Sequence, residues 1–160
     1  MRKSLILLSL LAAPMLPQAA TTVNVSIKGT LHMPTTCDLG TSTLEVDFDD
    51  ILTDKINGAN YMKPVPITLT CSNRNPLQSV YVQIKVPAPG TANDRIPIAG
   101  VAKGFELQLK RNNISQPLNT DVKIDTDGTL NLTLTPVNVP AVPYVTGAFT
   151  ATATVEVNVV

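Results

Sequence analysis

The sequence predicts an all-β protein, built as a mostly antiparallel β-sandwich, and three observations support this prediction. Apolar residues recur at every second position in several runs, which is the period of a half-buried strand. Clusters of Pro, Gly, Asn and Asp separate these runs and are typical of turns. The 13 prolines and the lack of an apolar repeat at helical spacing argue against long helices.

The N-terminal segment is built like an export signal. Arg2 and Lys3 precede an apolar run from Leu5 to Ala13, which is too short to span a bilayer. Small residues then end the segment at Ala20, where a signal peptidase would cut. We therefore expect residues 1–20 to be a signal peptide, so that the mature chain is exported and is not inserted in the membrane.

Removal of residues 1–20 from the 160-residue chain would leave 140 residues, which is a common size for a single domain. The removed segment carries two basic residues and no acidic one, so the formal charge would move from zero to −2. A chain with this charge has no electrostatic attraction to nucleic acid, and we predict no nucleic-acid partner.

The first strand pattern begins just after the predicted signal peptide. Apolar residues fall at every second position, and the positions between them are polar. One face of such a strand is apolar and needs a groove to fill. The alternating positions are Val23, Val25, Ile27, Gly29 and Leu31.

Further alternating runs predict the strands of the body. They lie at Ile67 to Cys71, Val80 to Val86, Phe105 to Leu109 and Leu130 to Leu134. The only helical feature that we expect is a short helical or 3₁₀ turn within Asp49 to Lys55.

The final run alternates in the same way up to Val160, where the chain is still in strand pattern. A constant-type immunoglobulin sandwich needs seven strands, and about six are counted here if residues 30–39 supply the first. A missing strand would leave an open apolar groove beside the final one. The alternating positions of that strand are Gly147, Phe149, Ala151, Ala153, Val155, Val157 and Val159.

Two cysteines, Cys37 and Cys71, lie in the part of the chain that would be exported, and a disulfide is the natural inference. The loop between them spans 34 positions, which in the chain-entropy model stabilises the fold by about 3 to 4 kcal/mol. Two buried thiols are the alternative. A metal site is less favoured because His32 is the only histidine, and we predict no metal and no cofactor.

The sequence contains no pattern that predicts catalysis. His32 stands alone, and no Gly-x-Ser-x-Gly elbow accompanies it. The acidic group Asp47, Asp49, Asp50 and Asp54 lacks the glycine and the final glutamate of an EF-hand loop, so a solvated loop is expected there. We predict that the chain is not an enzyme.

Several segments together resemble the subunits of chaperone-usher pili. Val23 to Leu31, followed by Pro34 and Cys37, resembles the N-terminal extension and first strand of these subunits. Cys71 resembles the second cysteine of their disulfide, and residues 101–109 resemble the middle of the pilin domain.

The end of the chain carries the same likeness. The final fourteen residues, from Gly147, resemble the β-zipper motif that closes the pilin domain. The family usually has an aromatic residue next to last, whereas this chain has Val159.

The resemblance implies an incomplete immunoglobulin-like sandwich that lacks its seventh strand, with residues 21–31 as a donor-strand extension and residues 32–160 as the pilin domain. In such subunits a periplasmic chaperone lends the missing strand until the outer-membrane usher exchanges it for the extension of the next subunit. The implied donor positions are Val23, Val25, Ile27, Gly29 and Leu31. The implied acceptor and chaperone-binding strand is Gly147, Phe149, Ala151, Ala153, Val155, Val157, Val159 and Val160.

The resemblance thus predicts a structural subunit, of the minor tip or adaptor type, that passes through the periplasm and becomes extracellular in the fimbrium. Its predicted partners are the chaperone, the usher and neighbouring pilus subunits. One alternative is that residues 23–31 pair within their own domain, because periodicity does not distinguish the two arrangements. The alternative function is a single-domain adhesin or lectin-like module that binds a host glycan.

Overall fold

A computed structural model describes residues 23–160, so the predicted signal peptide, residues 1–20, lies outside the described residues. The chain divides into two units, and the boundary between them lies between Leu31 and His32 in the sequence. The strands described below all belong to the second unit, residues 32–160. No helix within residues 23–160 is long and apolar enough to cross a membrane.

The second unit is built from short strands and one 3₁₀ turn, Thr53–Lys55, in the described part of the chain. The prediction of an all-β protein is confirmed, and so is the short turn expected within residues 49–55. The strands are β1 (Thr36–Asp38), β2 (Lys63–Val65), β3 (Thr68–Ser72), β4 (Val80–Lys85), β5 (Arg95–Ile96), β6 (Ala99–Gly100), β7 (Phe105–Arg111), β8 (Ile114–Ser115), β9 (Val122–Lys123), β10 (Gly128–Thr129), β11 (Leu132–Asn138), β12 (Phe149–Thr150) and β13 (Thr154–Val159).

The strands form antiparallel sheets. One has the order β2-β11-β7-β5, with β8 also paired to β7, and two others have the orders β1-β3-β10 and β13-β4-β9. A further pair joins β12 to β6. Because β1 contacts β13, the two three-stranded sheets lie next to each other. The predicted first strand within residues 30–39 is shorter than expected, since β1 covers only Thr36–Asp38.

The core fills the space between the sheets. Alternate side chains of β4 and β7 are buried in one continuous apolar cluster, as the two-residue period predicts. Leu69 of β3 is fully buried in the same cluster. The members from β4 and β7 are Val80, Val82, Ile84, Phe105, Leu107 and Leu109.

The predicted disulfide is confirmed. Antiparallel pairing of β1 with β3 sets Cys37 directly opposite Cys71, and the two sulfur atoms are bonded. Beside this link, the Asp127 carboxylate accepts hydrogen bonds from the Cys71 N–H at 2.8 Å and from Arg74 Nε at 2.7 Å. These two donors lower the pKa of Asp127. The disulfide thus fixes β1 to β3, and the Asp127 carboxylate ties the turn before β10 to the end of β3 and to Arg74.

A buried carboxylate ties β5 to β7. Asp94 Oδ2 accepts hydrogen bonds from Gln108 Nε2 and from Ser115 Oγ, both at 2.7 Å, and Oδ1 accepts one from Arg95 Nε at 3.2 Å. Burial by itself would raise the pKa of Asp94. The hydrogen bonds from Ser115 and Gln108 and the positive charge of Arg95 outweigh it, and the pKa is lowered.

We predict that Asp94→Asn lowers the free energy of unfolding at pH 7 by about 1 to 3 kcal/mol, because the amide cannot accept all of these bonds as a carboxylate does. The folded-state pKa lies below the ordinary value of 3.8. The stabilisation is therefore present above about pH 4 and is lost as the pH falls through the folded-state value. Chemical denaturation of both proteins at pH 7 and pH 3 tests this, with the exposed Asp121→Asn as control. A deficit that is undiminished at pH 3 would contradict the assignment.

Candidate functional site

An apolar groove of about 1100 Å³ lies beside the last two strands. One wall is formed by residues 41–51 and the other by residues 145–155. The floor consists of core side chains from four strands, so the groove gives direct access to the interior of the sandwich. The floor residues include Ile84 from β4, Ile96 from β5, Leu107 and Leu109 from β7, and Leu132 and Leu134 from β11.

The wall at residues 145–155 differs from the single final strand that the alternation predicts. β12 pairs with β6, whereas β13 pairs with β4, and residues 151–153 between them belong to no strand. The expectation of one continuous strand is wrong, because the two halves pair with different sheets and the chain must cross from one to the other. The residues of the predicted motif that line the groove are Gly147, Phe149, Ala151, Ala153 and Val155, whereas Val157, Val159 and Val160 lie outside its lining.

β13 pairs with β4 on one side only, as far as residues 23–160 are concerned. Ser79 and Val160 exchange both backbone hydrogen bonds, at 2.7 and 3.0 Å. In an antiparallel ladder such bonded pairs alternate along the strand, so Glu156 also turns its backbone N–H and C=O toward β4. The N–H and C=O groups of Val155 and Val157 consequently point away from β4, toward the free edge.

The opposite wall was missed by the sequence analysis. Leu44, Val46 and Phe48 alternate in the manner of a strand, and that was the available signal, yet residues 41–51 form no strand. Polar links from other segments hold this wall in place. One of them joins Lys63 Nζ to Asp49 Oδ2 at 2.9 Å.

Three phenylalanines connect the two walls and the floor. Phe149 of β12 makes an edge-on contact with Phe105 of β7, with ring centroids 5.0 Å apart. It also lies 6.2 Å from Phe48 of the opposite wall. Aromatic pairs of this kind contribute about 0.5 to 1.5 kcal/mol each beyond their buried area. Phe149 therefore fixes the spacing of the walls where the three rings meet.

Residues 23–31, here called the arm, carry the predicted donor positions. The arm has no assigned strand, and its large apolar side chains Val23, Val25, Ile27 and Leu31 are between 76% and 99% exposed. A strand needs a hydrogen-bonding partner for its backbone N–H and C=O groups. The alternating side chains of the arm can therefore form one apolar face of a strand only if the arm pairs with another strand. Its role as a donor strand stays a prediction.

Comparison with known proteins shows the family of the chain. The fimbrial protein family matches residues 25–159. A fimbrial-like protein of Escherichia coli (strain K12), YfcQ, is 32% identical over 139 residues, covering 84% of this chain and 86% of that protein. The family that the sequence analysis inferred by resemblance is confirmed, whereas its minor or adaptor subtype stays a prediction.

Two solved structures share the fold. The P pilus rod subunit PapA is 15% identical, with a TM-score of 0.58, and the match covers 79% of this chain and 99% of PapA. A chain in the structure of a chaperone-usher pilus, solved to explain rod uncoiling, is 17% identical, with a TM-score of 0.61 and coverage of 91% and 99%. The predicted immunoglobulin-like pilin fold with one disulfide is confirmed.

Gly147 is required where the wall at residues 145–155 begins. Its φ of +150° is a conformation that side-chain-bearing residues rarely adopt, and a Cβ there would lie 2.8 Å from Val101 Cγ1. We predict that Gly147→Ala destabilises the fold by about 1 to 3 kcal/mol and displaces this wall of the groove. Thermal or chemical denaturation measures the loss.

A matched control separates backbone strain from steric overlap. Gly128 has a φ of +129°, but a Cβ there would meet no atom within 4 Å. Gly128→Ala should therefore cost less than Gly147→Ala. Val101→Gly removes both Val101 Cγ1 at 2.8 Å and Cβ at 2.9 Å, so it should partly rescue Gly147→Ala in a double-mutant cycle. Equal losses at the two glycines, or the absence of rescue, would show that the close approach to Val101 is not the cause.

Proposed function

The chain belongs to the fimbrial protein family, and from this premise we propose that it is a structural subunit of a chaperone-usher pilus, joined to its neighbours by strand donation. The donor-strand extension of one subunit, residues 21–31, of which the arm is the larger part, enters the groove of another and pairs with the free edge of β13. Before assembly a periplasmic chaperone fills the groove, and the outer-membrane usher exchanges it for the arm. The subunit is exported, and it occupies a minor tip or adaptor position.

The free edge of β13 beside the groove is the observation that carries this proposal. Unpaired strand edges next to apolar surface are sites where another strand adds, and they invite aggregation when they stay uncovered. The edge groups of Val155 and Val157 supply the backbone hydrogen bonds, and the floor supplies room for alternate side chains. The arm offers the complementary pattern, with apolar side chains on one face.

The free energy of inserting the arm is a balance of large opposing terms. Burying a side chain of the size of Val, Leu or Ile contributes about 1.5 to 3 kcal/mol, so the four large apolar side chains of the arm would contribute about 6 to 12 kcal/mol gross. Ordering of the arm costs about 1 to 2 kcal/mol per residue in backbone entropy, a total over its residues that offsets this gain. The added backbone hydrogen bonds, about 0.5 to 1.5 kcal/mol each, then decide the balance.

We predict that the arm protects the free edge of β13. Residues 21–31 are moved from the start of the mature chain to a position after Val160, through a flexible Gly/Ser linker that lets them run back along β13. Amide hydrogen exchange at Val155 and Val157 should slow at least about tenfold, which corresponds to 1.4 kcal/mol. Glu156, already bonded to β4, should change less.

The control is the same rearranged chain with Val25→Asp and Ile27→Asp in the transferred segment, which leaves its length and linker unchanged. It should expose Val155 and Val157 to exchange, because charged side chains cannot enter the apolar groove without a large desolvation cost. Equal protection in both chains would mean that the segment does not occupy the groove.

A chain that lacks residues 21–31 should still bind the chaperone but should fail to polymerise, since the groove remains and the donor is gone. A finer comparison uses the two faces of the arm. Ile27→Asp should strongly reduce polymerisation, whereas Ser26→Asp on the polar face should leave it nearly unchanged. Size-exclusion chromatography of chaperone-released subunits measures both. Normal polymerisation without residues 21–31 would refute donation by the arm.

A further inference from the structure

Thr35 ties the start of the second unit to the loop between β3 and β4. Its N–H donates to Gln78 Oε1 at 2.8 Å, and its hydroxyl oxygen accepts a hydrogen bond from the Asn75 N–H at 3.0 Å. Thr35 is buried, but Met33, two residues before it, and Leu77, next to Gln78, are 69% and 77% exposed. We call these two exposed apolar side chains the donor pole, because they adjoin in sequence the Thr35–Gln78 hydrogen bond near the start of the second unit.

A second exposed apolar pair lies where the wall at residues 145–155 begins. The N–H of Val101, a residue that is 62% exposed, donates to the Ala148 carbonyl at 3.1 Å. Val145 is also exposed, and it exchanges backbone hydrogen bonds with Lys103 at 3.0 and 3.2 Å. We call Val101 and Val145 the acceptor patch. It borders Gly147, at the end of the wall that is remote from Val160.

Chain direction and tether length bring these two surfaces of neighbouring subunits together. Every strand pair among the described residues is antiparallel, and an arm that adds to β13 in the same sense places Leu31 toward Gly147. Only three residues, 32–34, separate Leu31 from Thr35. Four residue steps span at most about 14 Å, so Thr35 of the donor lies within that distance of the position of Leu31.

We propose that the donor pole of one subunit packs on the acceptor patch of the subunit that receives its arm, as a second contact outside the groove; this rests on the proposed function. The occupant of the patch is thus a second copy of this chain. The contact joins two different surfaces, so it repeats from subunit to subunit without closing into a dimer. This contact sets the angle between successive subunits. An inserted strand alone, joined to its subunit by a three-residue tether, would not fix that angle.

Cross-linking within polymers of the full mature chain tests the contact. Each chain carries Leu77→Cys on the donor pole and Val101→Cys on the acceptor patch, both at exposed positions. A short thiol-specific cross-linker should convert arm-linked polymers into a covalent ladder that survives boiling in detergent. The matched control pairs Leu77→Cys with Ile114→Cys, because Ile114 is similarly exposed but lies at the opposite end of β7 from Gly104 and Val145.

A charge series gives an independent measurement. Leu77→Glu combined with Val101→Glu should speed dissociation of the polymers about fivefold, and Leu77→Lys combined with Val101→Glu should restore the original rate. A ladder with the Val101 pair and none with the Ile114 pair would support the inference. Equal ladders, no ladder, or identical dissociation rates across the charge series would overturn it while leaving donation by the arm intact.

A result that refutes the proposed function itself is distinguishable from one that refutes only this contact. If the unmodified chain forms no polymers that depend on residues 21–31, both the proposed function and this inference fall, and that result is seen before any cross-linker is added. Polymers that form normally but lack the ladder refute only the contact between donor pole and acceptor patch.

Discussion

The backbone of β13 has a hydrogen-bonding partner on one side only, within the part of the chain that the structure describes, and the rest of the architecture follows from this. Each N–H and C=O that faces away from β4 must be satisfied by water or by another strand. Water serves poorly next to an apolar floor, because the side chains around the edge would also have to stay hydrated. An added strand resolves both conditions at once, since its backbone covers the edge and its alternate side chains cover the floor.

The sandwich can tolerate such an opening because other links carry the stability. The disulfide secures β1 to β3, and the Asp127 carboxylate secures the turn before β10 to β3. Asp94 ties β5 to β7, so the floor strands keep their spacing without help from the missing strand. Phe149 connects both walls to the floor. The groove therefore keeps a defined shape, which lets it select a strand by register.

The sequence predicted the parts of the fold whose side chains alternate between core and solvent. β4 and β7 were located correctly, because Val80 to Ile84 and Phe105 to Leu109 are packed in the core. The same reasoning failed at residues 151–153, where the alternation is present but regular pairing is not. Leu44 to Phe48 also alternate without forming a strand, and none was predicted there. Periodicity reports which face a residue prefers, whereas strand formation also needs a neighbour at the right distance. The floor of the groove could not be predicted from the sequence for a related reason, because its residues have the same alternating apolar pattern as residues of a closed core.

Chain direction also bears on whether an arm completes its own domain or a neighbour. Thr35 is anchored near the Ser79 to Val160 bridge, which is the end of β13. An arm that turned back from Thr35 along its own β13 would run parallel to it, and parallel pairs are slightly less stable per residue. An arm that arrives from another subunit has no such constraint and can pair antiparallel, as every described strand of this fold does. The position of the tether thus favours donation between subunits over closure within one, and a chain of such donations grows without a symmetric end point.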